Sequence, residues 1–287
     1  MLAEKEKDQK AFHLAKQYLL ELGIEGITPE LLDKYGRLAL SREKPVSIAG
    51  IFLRMLESLE NKGMLPNVIG KAIGGVDKLD VVLCGFKPAE VLEKYRIDDW
   101  RMLLKEIVVQ LKPTGQIRMS PKSSWPQYCR AILSSARFLA QFSSHDDFYM
   151  WVEFFDKDER TRAALPLLLD TEIHGFGFAL ACDFLKELGY INFAKPDIHL
   201  RDIFAGLGIC PWDSSDYELF KAISRVAKSV GGEVTPYYVD KVFWLIGSGY
   251  FYDDPYIGNN GKIGGQKPKF IPYAQGKLGV ENLPGGD

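Results

Sequence analysis

Apolar residues recur at helical spacing along most of the chain. In "AFHLAKQYLLELG", Phe12, Ala15, Tyr18, Leu19 and Leu22 fall on one stripe, the repeat of an amphipathic helix. Thr28-Pro29-Glu30 opens a second helix, with Thr28 as cap and Pro29 at the first helical position. A third starts near Ser47 in "SIAGIFLRMLESLE", and shorter apolar segments follow over 68–84, 88–95 and 100–111. "WPQYCRAILSSARFLAQF" and "DDFYMWVEFF" keep the period, Ser215 and Glu218 have the spacing of a capping box, and Thr235-Pro236 opens "YYVDKVFWLIGSGYF". The chain has no strand-length β-branched alternation, no fixed-period repeat and no heptad array. The pattern predicts an all-α protein.

Two stretches break the period. One is "KPTGQIRMSPKSS", residues 112–124; the other begins near Tyr252 and is rich in Gly, Pro and polar residues. They divide the chain into N-terminal helices over 1–44, a helical body over 45–251 and an irregular tail over 252–287.

Composition narrows the picture only a little. Hydrophobic residues make up 46% and charged residues 26%, an ordinary globular profile. A formal net charge of -2 gives no global sign of a polyanion-binding protein, so a nucleic-acid reading has to rest on local patches. The start of the chain is charged rather than signal-like, and no apolar run approaches the roughly 18 residues of a membrane span. Cys84, Cys129, Cys182 and Cys210 are scattered, which suits reduced thiols in a cytoplasmic protein and no metal site.

One local patch stands out. Over 161–189, "TRAALPLLLDTEI" and "FALACDFLKELG" read as two helices joined by Gly175-Phe176-Gly177, a helical hairpin. The second helix starts with unsatisfied N–H groups and a positive dipole end, and the glycines let an anion approach the backbone. A second motif follows over 195–207. In "KPDIHLRDIFAGLG", Pro196 favours a helix start and Asp197 stands at its cap position, where the helix N-terminus keeps a carboxylate ionised. Asp197 lies 20 positions after Gly177.

Gly-Phe-Gly, a helix and then Pro-Asp-Ile-His-Leu resembles the helix-hairpin-helix DNA glycosylase superfamily, the endonuclease-III-like enzymes of base excision repair. The resemblance is best over about 125–207 and looser from Ser47. It implies a two-lobed all-α body with the hairpin and Asp197 lining the cleft. It also implies double-stranded DNA as partner, to be bound by a monomer with no membrane association. In that picture the amides of Gly175, Gly177 and Ala179, with Lys195, hold a DNA phosphate, and Asp197 is the catalytic carboxylate. Trp125 and Tyr128 are candidates for the base pocket, with Tyr237, Tyr238 and Trp244 as further aromatics.

The departures from the family pattern are equally specific. Ala179 stands where bifunctional members carry the Schiff-base lysine, which implies a monofunctional glycosylase. Nothing downstream of Cys210 could hold the iron–sulfur cluster of some relatives, so no cofactor is expected. The hairpin opens Ile173-His174-Gly175 rather than Leu-Pro-Gly. Local charge fits a phosphate backbone: Arg101, Lys105, Lys112, Arg118, Lys122, Arg130 and Arg137 face one acid, Glu106, and the tail adds Lys262, Lys267, Lys269 and Lys277. Two other readings stand beside this one: a non-catalytic DNA-binding module in which Asp197 is only a cap, and a helical interaction protein.

Overall fold

Several helices begin where the sequence supplies a capping side chain. Thr28, Ser47, Asp99, Ser144 and Thr235 each accept a backbone N–H at a helix start, and Ser215 with Glu218 closes a full capping box. The structure, a computed structural model, describes residues 2–61, 68–95, 99–251, 257 and 261–280. Its helices are α1 (Glu4–Glu21), α2 (Pro29–Arg37), α3 (Ile48–Glu60), α4 (Val68–Ile73), α5 (Pro88–Lys94), α6 (Trp100–Leu111) and α7 (Ser124–Leu139). They continue as α8 (His145–Asp156), α9 (Ala164–Glu172), α10 (Gly177–Glu187), α11 (Ile198–Gly206), α12 (Asp216–Val230), α13 (Pro236–Ser248) and α14 (Lys267–Leu278). Among the described residues there is no strand, only one isolated bridge between Tyr250 and Lys262. The fold is all-α. Among the described residues no single helix is long and apolar enough to cross a membrane.

The chain forms two compact units. A central unit spans Glu43–Leu188, and a terminal unit joins Met1–Arg42 to Gly189–Asp287. This grouping differs from the chain-order partition read from the sequence, and packing explains why. The apolar stripe of α1 is covered by α12, α13 and α14. Phe12 meets the Tyr238 ring edge-on at 5.6 Å. Asp8, fully buried, accepts from Arg225 Nε at 2.8 Å, and Arg225 also donates to the Ile209 carbonyl. A buried carboxylate without such a partner would be strongly unfavourable. The N-terminal helices therefore belong to the core of the last hundred residues.

The tail is a second difference. The segment expected to be irregular carries α14, despite Pro268 in its first turn and Pro272 inside it. Tertiary contacts override the poor local propensity. Phe270 is fully buried against Phe243 and Tyr18, and Gln275 Nε2 donates to the Gly206 carbonyl at 2.8 Å. Gly206 sits so close to Ile271 that a β-carbon there would stand 2.9 Å from Cγ2. The remaining parts of that segment, 252–256, 258–260 and 281–287, lie outside the described residues.

In the central unit α3 buries one whole face. Ile51, Phe52, Met55 and Leu56 are fully buried, and α3 packs on α7 and α10. Rings from α7, α8 and the turn between them, among them Phe138, Phe142, Phe148 and Trp151, form a group of edge-on contacts at 5.2 to 5.6 Å. The irregular stretch after Leu111 is irregular in the structure as well, starting with Lys112 in the left-handed region.

Candidate functional site

The hairpin is built as its sequence suggests. Helix α9 ends when Ile173 turns to extended backbone, and α10 starts at Gly177 with the two helices bent by 113°. Gly175 and Gly177 both adopt positive φ, 72° and 60°, which L side chains rarely take. Phe176, between them, is fully buried against Phe184 and anchors the turn to the core. No side chain caps α10, so Gly177 and Ala179 stand in a first turn whose amides have no intrahelical acceptor. A β-carbon on Gly177 would meet nothing within 4 Å, so the space over the turn is open.

His174 holds this turn to α7. Its backbone N–H donates to Ser134 Oγ at 2.9 Å, and its Nε2 lies 2.8 Å from Gln127 Oε1. In the sequence His174 stands out only as a departure from the Leu-Pro-Gly opening of the family hairpin. It is exposed, yet it fixes where the glycine turn sits.

Asp197 caps α11, as its position predicts. Its Oδ1 accepts from the His199 and Leu200 amides at 2.9 and 3.1 Å. Lys195 presents its backbone N–H to Asp240 Oδ2 at 3.1 Å, and Asp240 is buried. His199 turns inward: its Cβ lies where a β-carbon on Gly247 would be 2.3 Å away, and its buried Nδ1 has no hydrogen-bond partner among the described residues. Burial therefore holds its pKa below the ordinary histidine range, against the pull of Asp197. The tail supports this helix, because Lys267 pairs with Asp202 one turn on. Gly175, Gly177 and Ala179 belong to the central unit, Lys195 and Asp197 to the terminal unit.

The two base-pocket candidates part company. Trp125 is buried in the first turn of α7. Tyr128, one turn on, lines a cavity of about 280 Å³ inside the central unit. Its hydroxyl donates to the Leu56 carbonyl at 2.9 Å, and burial pushes its pKa well up. Glu60, Lys122, Ser124, Gln127 and His174 supply the polar lining, Leu59, Ile69 and Ala131 the rest of the apolar wall. Glu60 and Gln127 escaped the sequence reading, because the lining comes from four distant segments and forms no local motif. Among the described residues no three His, Cys, Asp or Glu side chains gather as a metal site would need.

The basic residues have mixed roles. Arg101 and Arg130 stack on the Trp100 ring at 4.4 and 5.3 Å, while Lys105, Lys112, Arg118, Lys122 and Arg137 are exposed. In the tail Lys277 lies over the Tyr273 ring at 4.2 Å and Lys262 over Tyr250 at 5.5 Å. Compared with protein-family models, curated proteins and solved structures, the chain matches none of them, so its function has to be argued from these residues.

Proposed function

We propose that the protein is a monofunctional DNA glycosylase of the helix-hairpin-helix kind, excising a damaged or mispaired base by hydrolysing its N-glycosidic bond. The observation that carries this reading is the hairpin: two positive-φ glycines at the uncapped start of α10, under open space. Backbone N–H groups arranged in this way suit a phosphate, and without a β-carbon the oxygens can come close. Gly175, Gly177 and Ala179 supply those amides.

Asp197 is the catalytic group in this reading. As the base departs, positive charge develops on the deoxyribose, and a carboxylate stabilises it and orients the attacking water. Water adds to the sugar carbon, the carbon–nitrogen bond breaks, and the base leaves with a proton. Ala179 offers no amine for a covalent intermediate, so no strand cleavage follows. The target base has to leave the stack first, at a cost of about a few kcal/mol.

A second reading has one observation in its favour. Asp197 Oδ1 already accepts from two amides, as in a purely structural cap. A non-catalytic DNA-binding protein would use it in this way alone. Incubating the protein with duplexes that each carry one damaged base, followed by alkali to reveal abasic sites, separates the two. Base loss that disappears in Asp197→Asn supports the glycosylase; salt-dependent duplex binding without base loss supports the binding module; neither leaves a helical interaction protein.

A further inference from the structure

The cavity beside the hairpin turn has a lopsided polar lining. Gln127 is spoken for, since Nε2 donates to the Pro121 carbonyl and Oε1 faces His174 Nε2. The Tyr128 hydroxyl is used on Leu56, so its ring offers only an apolar face. Two charged side chains are left. Glu60 Oε2 accepts from the Gly70 amide at 2.9 Å, and a β-carbon on Gly70 would stand 2.8 Å from that oxygen. Glycine there permits the approach that fixes the carboxyl group, and Oε1 has no partner among the described residues. Lys122 also lines the cavity, and among the described residues it makes no ion pair with Glu60 or any other acid. Burial pushes the Glu60 carboxyl above its ordinary range, with the Gly70 amide and the Lys71 charge pulling the other way.

A half-buried acceptor and a cationic donor share one cavity without neutralising each other. We infer that the cavity of Glu60, Lys122 and Tyr128 binds a neutral lactam heterocycle, a ring with an N–H beside a carbonyl. The ring N–H donates to Glu60 Oε1, Lys122 Nζ donates to the carbonyl oxygen, and the ring lies among Tyr128, Leu59 and Ile69. At about 280 Å³ the space falls just under the range of roughly 300–1,000 Å³ typical of drug-sized ligands, which suits one ring system. An amine-edged ring such as adenine would bring a donor towards Lys122 and lose the carbonyl contact. Taking the ligand to be a nucleobase rests on the glycosylase reading. It then narrows the substrate to lactam bases such as hypoxanthine and uracil, products of deamination, and away from adenine and its alkylated forms.

The test is ligand-observed NMR on the full chain with free hypoxanthine, adenine and 3-methyladenine, each at equal concentration. Hypoxanthine should bind and the other two should bind at least about tenfold more weakly, the worth of one charge-assisted hydrogen bond. Glu60→Gln keeps an oxygen for Gly70 but turns an amide N–H₂ into the cavity, so hypoxanthine affinity should fall about tenfold or more. Lys122→Met, on an exposed side chain that the fold does not use, should also weaken it. No hypoxanthine binding, equal binding of the three bases, or a Glu60→Gln protein that binds as the wild type does would overturn the inference. Release of 3-methyladenine from duplexes, with Glu60→Gln indifferent, would sink the lactam site and leave the glycosylase standing. Hypoxanthine binding without any duplex binding would do the reverse.

Discussion

Two helix starts, α10 and α11, carry the functional reading, and they are built in opposite ways. Helix α11 is finished: a carboxylate closes its first turn, Pro196 sets its entry, and α14 and α13 pack along its length. Helix α10 is left unfinished: no side chain caps it, two glycines hold conformations open to little else, and the space above is empty. A capped start needs nothing from outside the protein, whereas an uncapped one exposes donors that water or a ligand has to satisfy. The contrast explains why ligand binding is assigned to the first start, and a charge fixed in place to the second.

The largest effect that would sharpen this contrast is on stability. Phe270→Ala removes the ring on which α14 seats itself, and should cost about 3–5 kcal/mol. Urea unfolding measures it; a loss under about 1 kcal/mol would show that α14 is an ornament rather than a support for α11. Next comes chemistry. Asp197→Asn keeps a cap but removes the charge, so base release should fall by about 10²–10³-fold or more with the fold intact. Asp197→Ala should lose the same activity and a further ~0.5–2 kcal/mol of stability with the cap. An Asn variant as active as the wild type would make Asp197 a cap and nothing else.

A smaller effect is expected at the other helix start. Gly177→Ala meets no clash, so its cost is the left-handed backbone alone, about 1–2 kcal/mol. Duplex affinity at matched salt should drop beyond what that loss explains; unchanged affinity would remove the hairpin from the interface. The smallest effect is in pH. His199 is held below its ordinary range by burial, with Lys267 and Lys195 adding to the shift and Asp197 and Asp202 opposing it. The unfolded chain therefore binds that proton more readily than the folded one. The stability this contributes is complete above the ordinary histidine value of about 6.5 and is lost as pH falls through the lowered folded value. The melting temperature of the wild type should fall further on acidification than that of His199→Gln; parallel curves would contradict it.

What the sequence revealed was whatever is written locally. The caps at Thr28, Ser215, Thr235 and Asp197, and the glycine turn, need only residues a few positions apart, and each forms as its spacing suggests. What it concealed depends on partners far along the chain. Helix α14 looks irregular because Pro268 and Pro272 are poor helix formers, and partners far along the chain, among them Phe243, Tyr18 and Gly206, hold it as a helix. The charged lining of the cavity is hidden for the same reason. Glu60 is an ordinary acid at the end of a helix until Gly70 and Lys122 are brought round it.

The terminal unit's divided chain has a consequence for how the protein is made. Helix α1 leaves the ribosome well before the helices that cover its apolar stripe, which come from beyond residue 215. At typical elongation rates the interval is on the order of 10–40 s, during which Phe12, Ala15 and Leu19 have no core to enter. The contiguous central unit meets no such delay and can fold while synthesis continues. Nascent chains stalled before α12 should thus show a protease-resistant centre and a cleavable α1, and those extended past α14 should resist at both. A helix made early is among the last to find its place.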